Sequence, residues 1–336
     1  MEQLLGLVLI SFAVTSLVMV PFIDLLYFLR RKYKRFSHNA LTLDTPIHHQ
    51  LLKGKDIDTP VGGGIPIILV LVLLSTVVTY FTHYTFTNDF LVLIVTILCF
   101  GFIGFLDDGR KIFTSISGKY SGIRGRYILM LQIIFAFLVG FLLFYYIGID
   151  NIYIPIVGNI ILGYWYIPLA AFAIISFANA YNISDGLDGL SSGLLLVCLF
   201  SFLVLAGAVF NESLSIFVGL WIGALIAYLY FNVFPARIYL GDAGAYGFGA
   251  TLAVVGLLTG KLIGLGVIGG MFVLIVGSSA IQIFSKKVFK RKVFPVAPIH
   301  MYFKYIGWEE PKIVARFWLA GIIFAILGLW LSLLSQ

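Results

Sequence analysis

Charge is scarce in this chain of 336 residues. Only 11% of them are Asp, Glu, Lys or Arg, against about 25% in an ordinary soluble domain. That shortage excludes a water-soluble globular protein, and the shortage of polar residues excludes a disordered one. Cysteine is nearly missing. The two present, Cys99 and Cys198, lie inside apolar runs and read as small buried hydrophobes, so neither a disulfide framework nor a soft-metal site is expected. No repeat is visible, which excludes collagen and coiled coil. A cleavable leader is not expected either: "LLGLVLISFAVTSLVMVPFIDLLYFL" is too long for one and ends in positive charge. What remains is hydrocarbon, 61% of the residues. The expectation is an all-α polytopic membrane protein forming one integral membrane domain over residues 1–336.

A membrane-crossing helix needs about 20 mostly apolar residues. Ten candidates meet this, at roughly 4–29, 64–82, 89–107, 127–148, 163–181, 190–210, 214–231, 244–260, 262–284 and 314–335. Of the 22 lysines and arginines, all but Lys261 fall in loops that follow odd-numbered spans or at their edges. Lysine and arginine accumulate on the cytoplasmic side, so those loops are expected inside and both termini outside. The net charge of +7 then reflects this bias and an attraction to anionic membrane lipids; no nucleic-acid partner is needed to explain it. Most outer connections are short. The exception, "GIDNIYIPIVGNIILG" at 148–163, alternates β-branched residues around "VGN" and predicts a small β-hairpin on the outer face.

Of the fifteen acidic residues, Asp44, Asp56, Asp58, Asp107, Asp108, Asp185, Asp188, Asp242, Glu309 and Glu310 map to the inner face. Three separate stretches deliver five of them, Asp107, Asp108, Asp185, Asp188 and Asp242: "FGFIGFLDDGRK", "NAYNISDGLDGLSSG" and "FNVFPARIYLGDAGAYGFG". Adjacent carboxylates such as Asp107 and Asp108 repel unless a cation neutralises them. Hard carboxylate oxygens suit Mg²⁺, which bridges to phosphates, and nearby lysines and arginines suit the remaining phosphate charge. Carboxylates, magnesium and fixed cations together describe phosphoryl transfer. The glycines of "TPVGGG", "DGLDGL" and "GDAG" permit close backbone approach to an anion.

"GFLDDGRK", "NAYNISDGLDGLSSG", "FNVFPARIYLGDAG" and "APIHMYFKYIGWEEPKIVARFW" resemble the polyprenyl-phosphate N-acetylhexosamine-1-phosphate transferases, over about residues 59–335. The last stretch is most similar to the bacterial branch that handles phospho-N-acetylmuramoyl-pentapeptide. The resemblance implies that a UDP-linked sugar gives its sugar phosphate to undecaprenyl phosphate and releases UMP, at the cytoplasmic face of the bacterial plasma membrane, with a homodimer as one assembly. It implies Asp242 as the magnesium ligand and Asp107 as the group that deprotonates or orients the lipid phosphate. In a two-step alternative, Asp108 is a covalent nucleophile. It implies phosphate contact for Lys111, a nucleotide-side loop of Asn182, Asp185 and Asp188, uracil stacking for Tyr239, a site-lining role for Asn232, a uridine-side role for Arg126, and a catalytic role for His300.

Some positions depart from the family pattern. The muramyl branch usually carries three consecutive histidines; here only His300 stands, followed by Met301 and Tyr302. Lys304 occupies a place where an acid is common. Val61 and Ala245 stand where the family usually has hydroxyl-bearing residues. These changes fall on sugar and peptide recognition and leave the aspartates intact. A transferase for UDP-N-acetylglucosamine or a related sugar is therefore the alternative within the family. An ion-coupled transporter is the rival outside it, because broken helices and acids near helix ends also occur there.

Overall fold

The computed structural model describes residues 2–33, 59–81, 87–116, 122–209 and 211–334. Lys34, Arg35, Asp44, Lys53, Lys55, Asp56, Asp58 and Lys119, all expected on the inner face, lie outside the described residues.

Long apolar runs must satisfy their own backbone groups inside a membrane, and a helix does so within one segment. Ten helical segments among the described residues are long and apolar enough to cross a bilayer, so this is a multi-pass membrane protein. In chain order the helices are α1 (Glu2–Tyr33), α2 (Gly64–Phe81), α3 (Asn88–Ile116), α4 (Gly125–Leu142), α5 (Tyr166–Ser184), α6 (Leu190–Ala208), α7 (Glu212–Asn232), α8 (Gly241–Leu258), α9 (Leu262–Ile268), α10 (Gly270–Val288), α11 (Ile299–Tyr305) and α12 (Glu310–Leu333). A π-helical turn, Leu143–Ile147, extends α4.

The expected hairpin is present. β1 (Asn151–Ile154) pairs antiparallel with β2 (Gly158–Ile161), with Asn151 opposite Ile161 and Ile154 opposite Gly158. Its turn falls at 155–157, overlapping "VGN" only at Val157, and Ile156 takes the positive φ of 72°. Lys261 lies on this side of the molecule, its ammonium 4.2 Å from the centre of the Tyr153 ring.

Three boundaries differ from the sequence expectation. The ninth span starts at Gly270, not 262, because the chain breaks at Gly269 and leaves α9 as a separate short helix. The break lets aromatic rings close in: a Cβ at Gly269 would fall 2.6 Å from Phe177, and one at Gly270 2.6 Å from Phe324. α3 runs past residue 107 to Ile116, so Asp107, Asp108 and Lys111 share one continuous helix. α8 begins at Gly241, which places Asp242 in the first turn of a helix instead of in a loop.

α7 and α8 form the centre, the most buried of the ten spans. α8 packs mainly against α3 and α5, with α2 alongside. Small residues allow this. A Cβ on Gly104 of α3 would lie 2.1 Å from the Asp242 carbonyl carbon, and a Cβ on Gly64 of α2 would lie 2.3 Å from the Gly244 Cα. With no hydrophobic gain available between helices in lipid, such close backbone contact supplies the packing. It also brings the functional end of α8 against α3. Deeper between α4 and α5, Asn179 donates to the fully buried Gln132 at 2.8 Å, a polar tie of the kind that joins helices in a bilayer.

Candidate active site

Helical spacing builds the first part of the site. Asp107 and Lys111 are four residues apart on α3 and face the same way; the ammonium of Lys111 is 2.8 Å from Asp107 Oδ2. The same ammonium bonds Asp242 Oδ2 on α8. Asn182, in the last turns of α5, donates to the other Asp242 oxygen at 2.9 Å. Asp107 Oδ1 also accepts the main-chain N–H of Ile123 at 2.5 Å.

The adjacent aspartates resolve their repulsion by turning to different partners. Asp107 faces Lys111, while Asp108 Oδ2 accepts the Ala243 N–H at 3.1 Å. A helix start leaves N–H groups without intrahelical acceptors and favours negative charge. α8 has no side-chain cap of its own, so Asp108 caps it from α3. Gly241 has φ of +82°, and a Cβ there would fall 2.8 Å from Asp108 Oδ2; glycine satisfies both demands.

The "TPVGGG" stretch clamps the entry to α8. Gly62 and Gly63 donate to the Tyr239 carbonyl at 3.0 and 2.9 Å, Gly64 donates to the Leu240 carbonyl at 2.8 Å, and Tyr239 donates to the Pro60 carbonyl at 2.8 Å. Thr59 adds a bond to the Ala236 carbonyl at 3.1 Å. Tyr239 is half-buried in this clamp beside Asp242.

Asp188 and Asn232 are buried and hold main-chain groups of two neighbouring segments. Asp188 is buried, its Oδ2 accepting the Ala236 N–H at 3.0 Å. Asn232 accepts from Gly189 N–H at 3.1 Å and donates to the Ile238 carbonyl at 3.0 Å. Together they tie the 185–189 turn to the 233–240 loop. Asp185 ends α5 and accepts from Ser191 at 2.5 Å. His300, buried in the first turn of α11, packs on the same turn: a Cβ on Gly186 would lie 2.8 Å from its Nε2. Arg126 is exposed at the start of α4; its guanidinium lies 4.8 Å from the Tyr127 ring centre and donates to the Tyr127 hydroxyl at 3.0 Å.

The structure therefore brings Asp107, Asp108, Lys111, Asn182 and Asp242 into one cluster, with the main chain of Tyr239 in the clamp that leads into α8. Asp185, Asp188, Asn232 and His300 gather instead on the turn after α5 and the loop before α8, and Arg126 rests on its own neighbour. Two contributors had no site role in the sequence reading, although Glu310 stood among its inner-face acids. Glu310 accepts the Asp188 N–H at 2.8 Å, and Trp318 donates from its indole to the Gly189 carbonyl at 3.2 Å. An acid in "GWEEP", at the start of a span, was the available signal for Glu310.

Hard oxygen donors dominate the cluster. Among the described residues they do not close as three acidic, histidine or cysteine groups on a shared point; the Lys111 ammonium holds that place between Asp107 and Asp242. The chemistry of this set fits one divalent cation of the magnesium type.

Residues 90–260 match the family described as Glycosyl transferase family 4, and the chain belongs to that family. It is also similar over nearly its whole length to proteins named phospho-N-acetylmuramoyl-pentapeptide-transferase. The one from Borreliella burgdorferi (strain ZS7) is 34% identical over 334 residues, covering 94% of this chain and 91% of that protein. The one from Halalkalibacterium halodurans is 32% identical over 340 residues, covering 99% and 98%. The one from Pelagibacter ubique is 35% identical over 340 residues, covering 95% and 90%.

Proposed function

We propose that this protein is a phosphoglycosyl transferase. It moves phospho-N-acetylmuramoyl-pentapeptide from its UDP conjugate to undecaprenyl phosphate and releases UMP, the first membrane step of peptidoglycan synthesis. The observation that carries the proposal is the gathering of Asp107, Asp108, Asn182 and Asp242 around Lys111 where α3 meets the first turn of α8. One substrate is soluble and the other is a lipid, so an acid-rich cluster at helix ends is where the two can meet. The lysines and arginines of the loops at that end support a cytoplasmic face, and a bacterial plasma membrane is part of the same reading.

An oxygen of the lipid phosphate attacks the β-phosphorus of the UDP-sugar. The new P–O bond joins the two phosphates as the lipid diphosphate, the bond from the β-phosphorus to the bridging oxygen breaks, and UMP leaves with that oxygen. Asp107 accepts the proton of the incoming lipid phosphate. Lys111, held by Asp107 and Asp242, presents positive charge to the transferring phosphoryl group. Asp108 keeps the start of α8 in place, and its main-chain bond supports direct displacement over the covalent alternative. Tyr239 offers a ring for the uracil, with the walls set by Asp188 and Asn232. Asp242 would hold Mg²⁺, which when bound would offset the charge of the diphosphate.

Location in the span argues against the transporter. Carrier sites sit near the bilayer midplane, whereas this cluster lies where the apolar span of α3 finishes at Lys111, at the end of α5 and at the start of α8. The alternative donor, UDP-N-acetylglucosamine, is favoured by Met301 and Tyr302 replacing two histidines. Purified protein with undecaprenyl phosphate and a panel of UDP-sugars, scored for UMP, tests the reading. UMP release with the muramyl-pentapeptide conjugate supports it; release with UDP-N-acetylglucosamine alone favours the alternative.

A further inference from the structure

Lys304 stands in the last turn of α11 and Glu310 in the first turn of α12. Their charged atoms are 2.6 Å apart, with the Glu310 side chain 5% exposed. The two Glu310 oxygens divide their work: Oε2 takes the ammonium, and Oε1 accepts the main-chain N–H of Asp188 at 2.8 Å. Asp188 in turn holds the Ala236 N–H through Oδ2 at 3.0 Å. Ala236 belongs to the loop that runs through Tyr239 into Asp242, and Asn232 secures the same loop at Ile238. An unbroken line of charge-assisted bonds thus runs from Lys304 to the loop that leads into Asp242 at the start of α8. Such bonds are stronger and more directional than neutral ones.

We propose that Lys304 is a positioning residue for the nucleotide side of the site. Its charge keeps the Glu310 carboxylate buried and aimed at Asp188, and through Asp188 it sets the 233–240 loop. The kinetic consequences rest on the transferase reading; the structural ones do not. Without the ammonium, Glu310 is a buried anion close to the Asp188 carboxylate with its counter-charge removed, an arrangement that is strongly unfavourable. It is relieved when Glu310 swings outward, which releases the Asp188 N–H. Lys304 stands where the resembling branch commonly has an acid, so the lysine is this chain's own solution. His300, packed on Gly186, holds the other end of α11 to the same turn.

A role limited to joining α11 to α12 differs in one respect. An ion pair that only joins helices works in either direction, so Lys304→Glu combined with Glu310→Lys would restore it. A lysine at 310 cannot accept the Asp188 N–H, so that swap fails if positioning is the role. The experiment compares Lys304→Met, Lys304→Arg and the swapped pair, each as the purified full chain in detergent. It reads amide hydrogen exchange in peptides covering 185–190 and 233–241, with 216–228 in α7 as the internal reference, together with kcat and KM for the UDP-sugar and the lipid phosphate.

The expected result is exchange in 185–190 and 233–241 about tenfold faster in Lys304→Met, unchanged exchange in 216–228, and a severalfold higher KM for the UDP-sugar with the lipid KM unchanged. Lys304→Arg should behave as the parent, and the swapped pair as Lys304→Met. Unchanged exchange in 233–241, acceleration of all three regions alike, or rescue by the swapped pair overturns the proposal. If Lys304→Met does not fold, Lys304→Gln keeps a donor to Glu310 without its charge and gives the same readings. If no UDP-sugar is turned over at all, the function proposed above fails while the exchange result still decides this one.

Discussion

Asn182 and Asp242 are joined by a 2.9 Å hydrogen bond across 60 residues of chain. The amide at the end of α5 thereby fixes one oxygen of the carboxylate that starts α8, leaving the other to Lys111. A hydrogen bond to a charged group contributes about 1.5–3 kcal/mol. Asn182→Ala should therefore lower turnover by roughly ten- to a hundredfold, with little change in thermal stability because Lys111 still holds Asp242. Initial rates of UMP release and a melting curve on the same preparation check this.

Asp107 and Asp188 should fail in different ways. Asp107 faces Lys111 in the cluster, whereas Asp188 is tied to the loop before α8 through the Ala236 amide. Asp107→Asn should reduce kcat at least a hundredfold and leave uridine-nucleotide binding nearly unchanged. Asp188→Asn should weaken nucleotide binding more than it slows turnover. Calorimetry with a uridine nucleotide separates them; equal losses of binding would contradict the assignment.

Gly104 is a packing position. A methyl group there would meet the Asp242 carbonyl carbon at 2.1 Å, so α3 and α8 must separate to admit it. Overpacking of this kind costs about 1–3 kcal/mol. Gly104→Ala should lower the melting temperature and the activity together, whereas Gly109→Ala, where a Cβ has open space, should spare the melting temperature.

Sidedness follows from the basic residues. A cysteine at Lys287, in the last turn of α10, should react with a membrane-impermeant reagent only after the cells are opened. A cysteine at Val157, on the hairpin turn, should react in intact cells. The reverse pattern would invert the topology.

Much of the architecture was readable because a bilayer imposes it. Apolar runs near Ile10, Leu71 and Phe324 have no alternative to a helix, and the split of the basic residues, with Lys261 alone on the outer side, supports the count of spans. The Asp107–Lys111 pairing follows from a four-residue spacing once α3 is known to continue. The break at Gly269 was hidden because both sides of it are equally apolar, and only the rings of Phe177 and Phe324 explain it. The inward turn of Asp188 and Asn232 was hidden as well, since their partners are main-chain groups of a distant loop. Glu310 reads as an ordinary helix-start acid until Asp188 and Lys304 are seen on either side of it.

The most direct measurement is transfer itself. Purified protein is supplied with UDP-N-acetylmuramoyl-pentapeptide, undecaprenyl phosphate and Mg²⁺, and both UMP and the lipid-linked product are quantified, alongside Asp242→Asn and a sample with excess chelator. Equal amounts of UMP and lipid-linked sugar phosphate from the parent protein, abolished in Asp242→Asn and in chelator, are the expected result. UMP without lipid product, undiminished turnover in Asp242→Asn, or full activity in chelator would contradict an acid-centred, metal-assisted phosphoryl transfer at the α3–α8 junction.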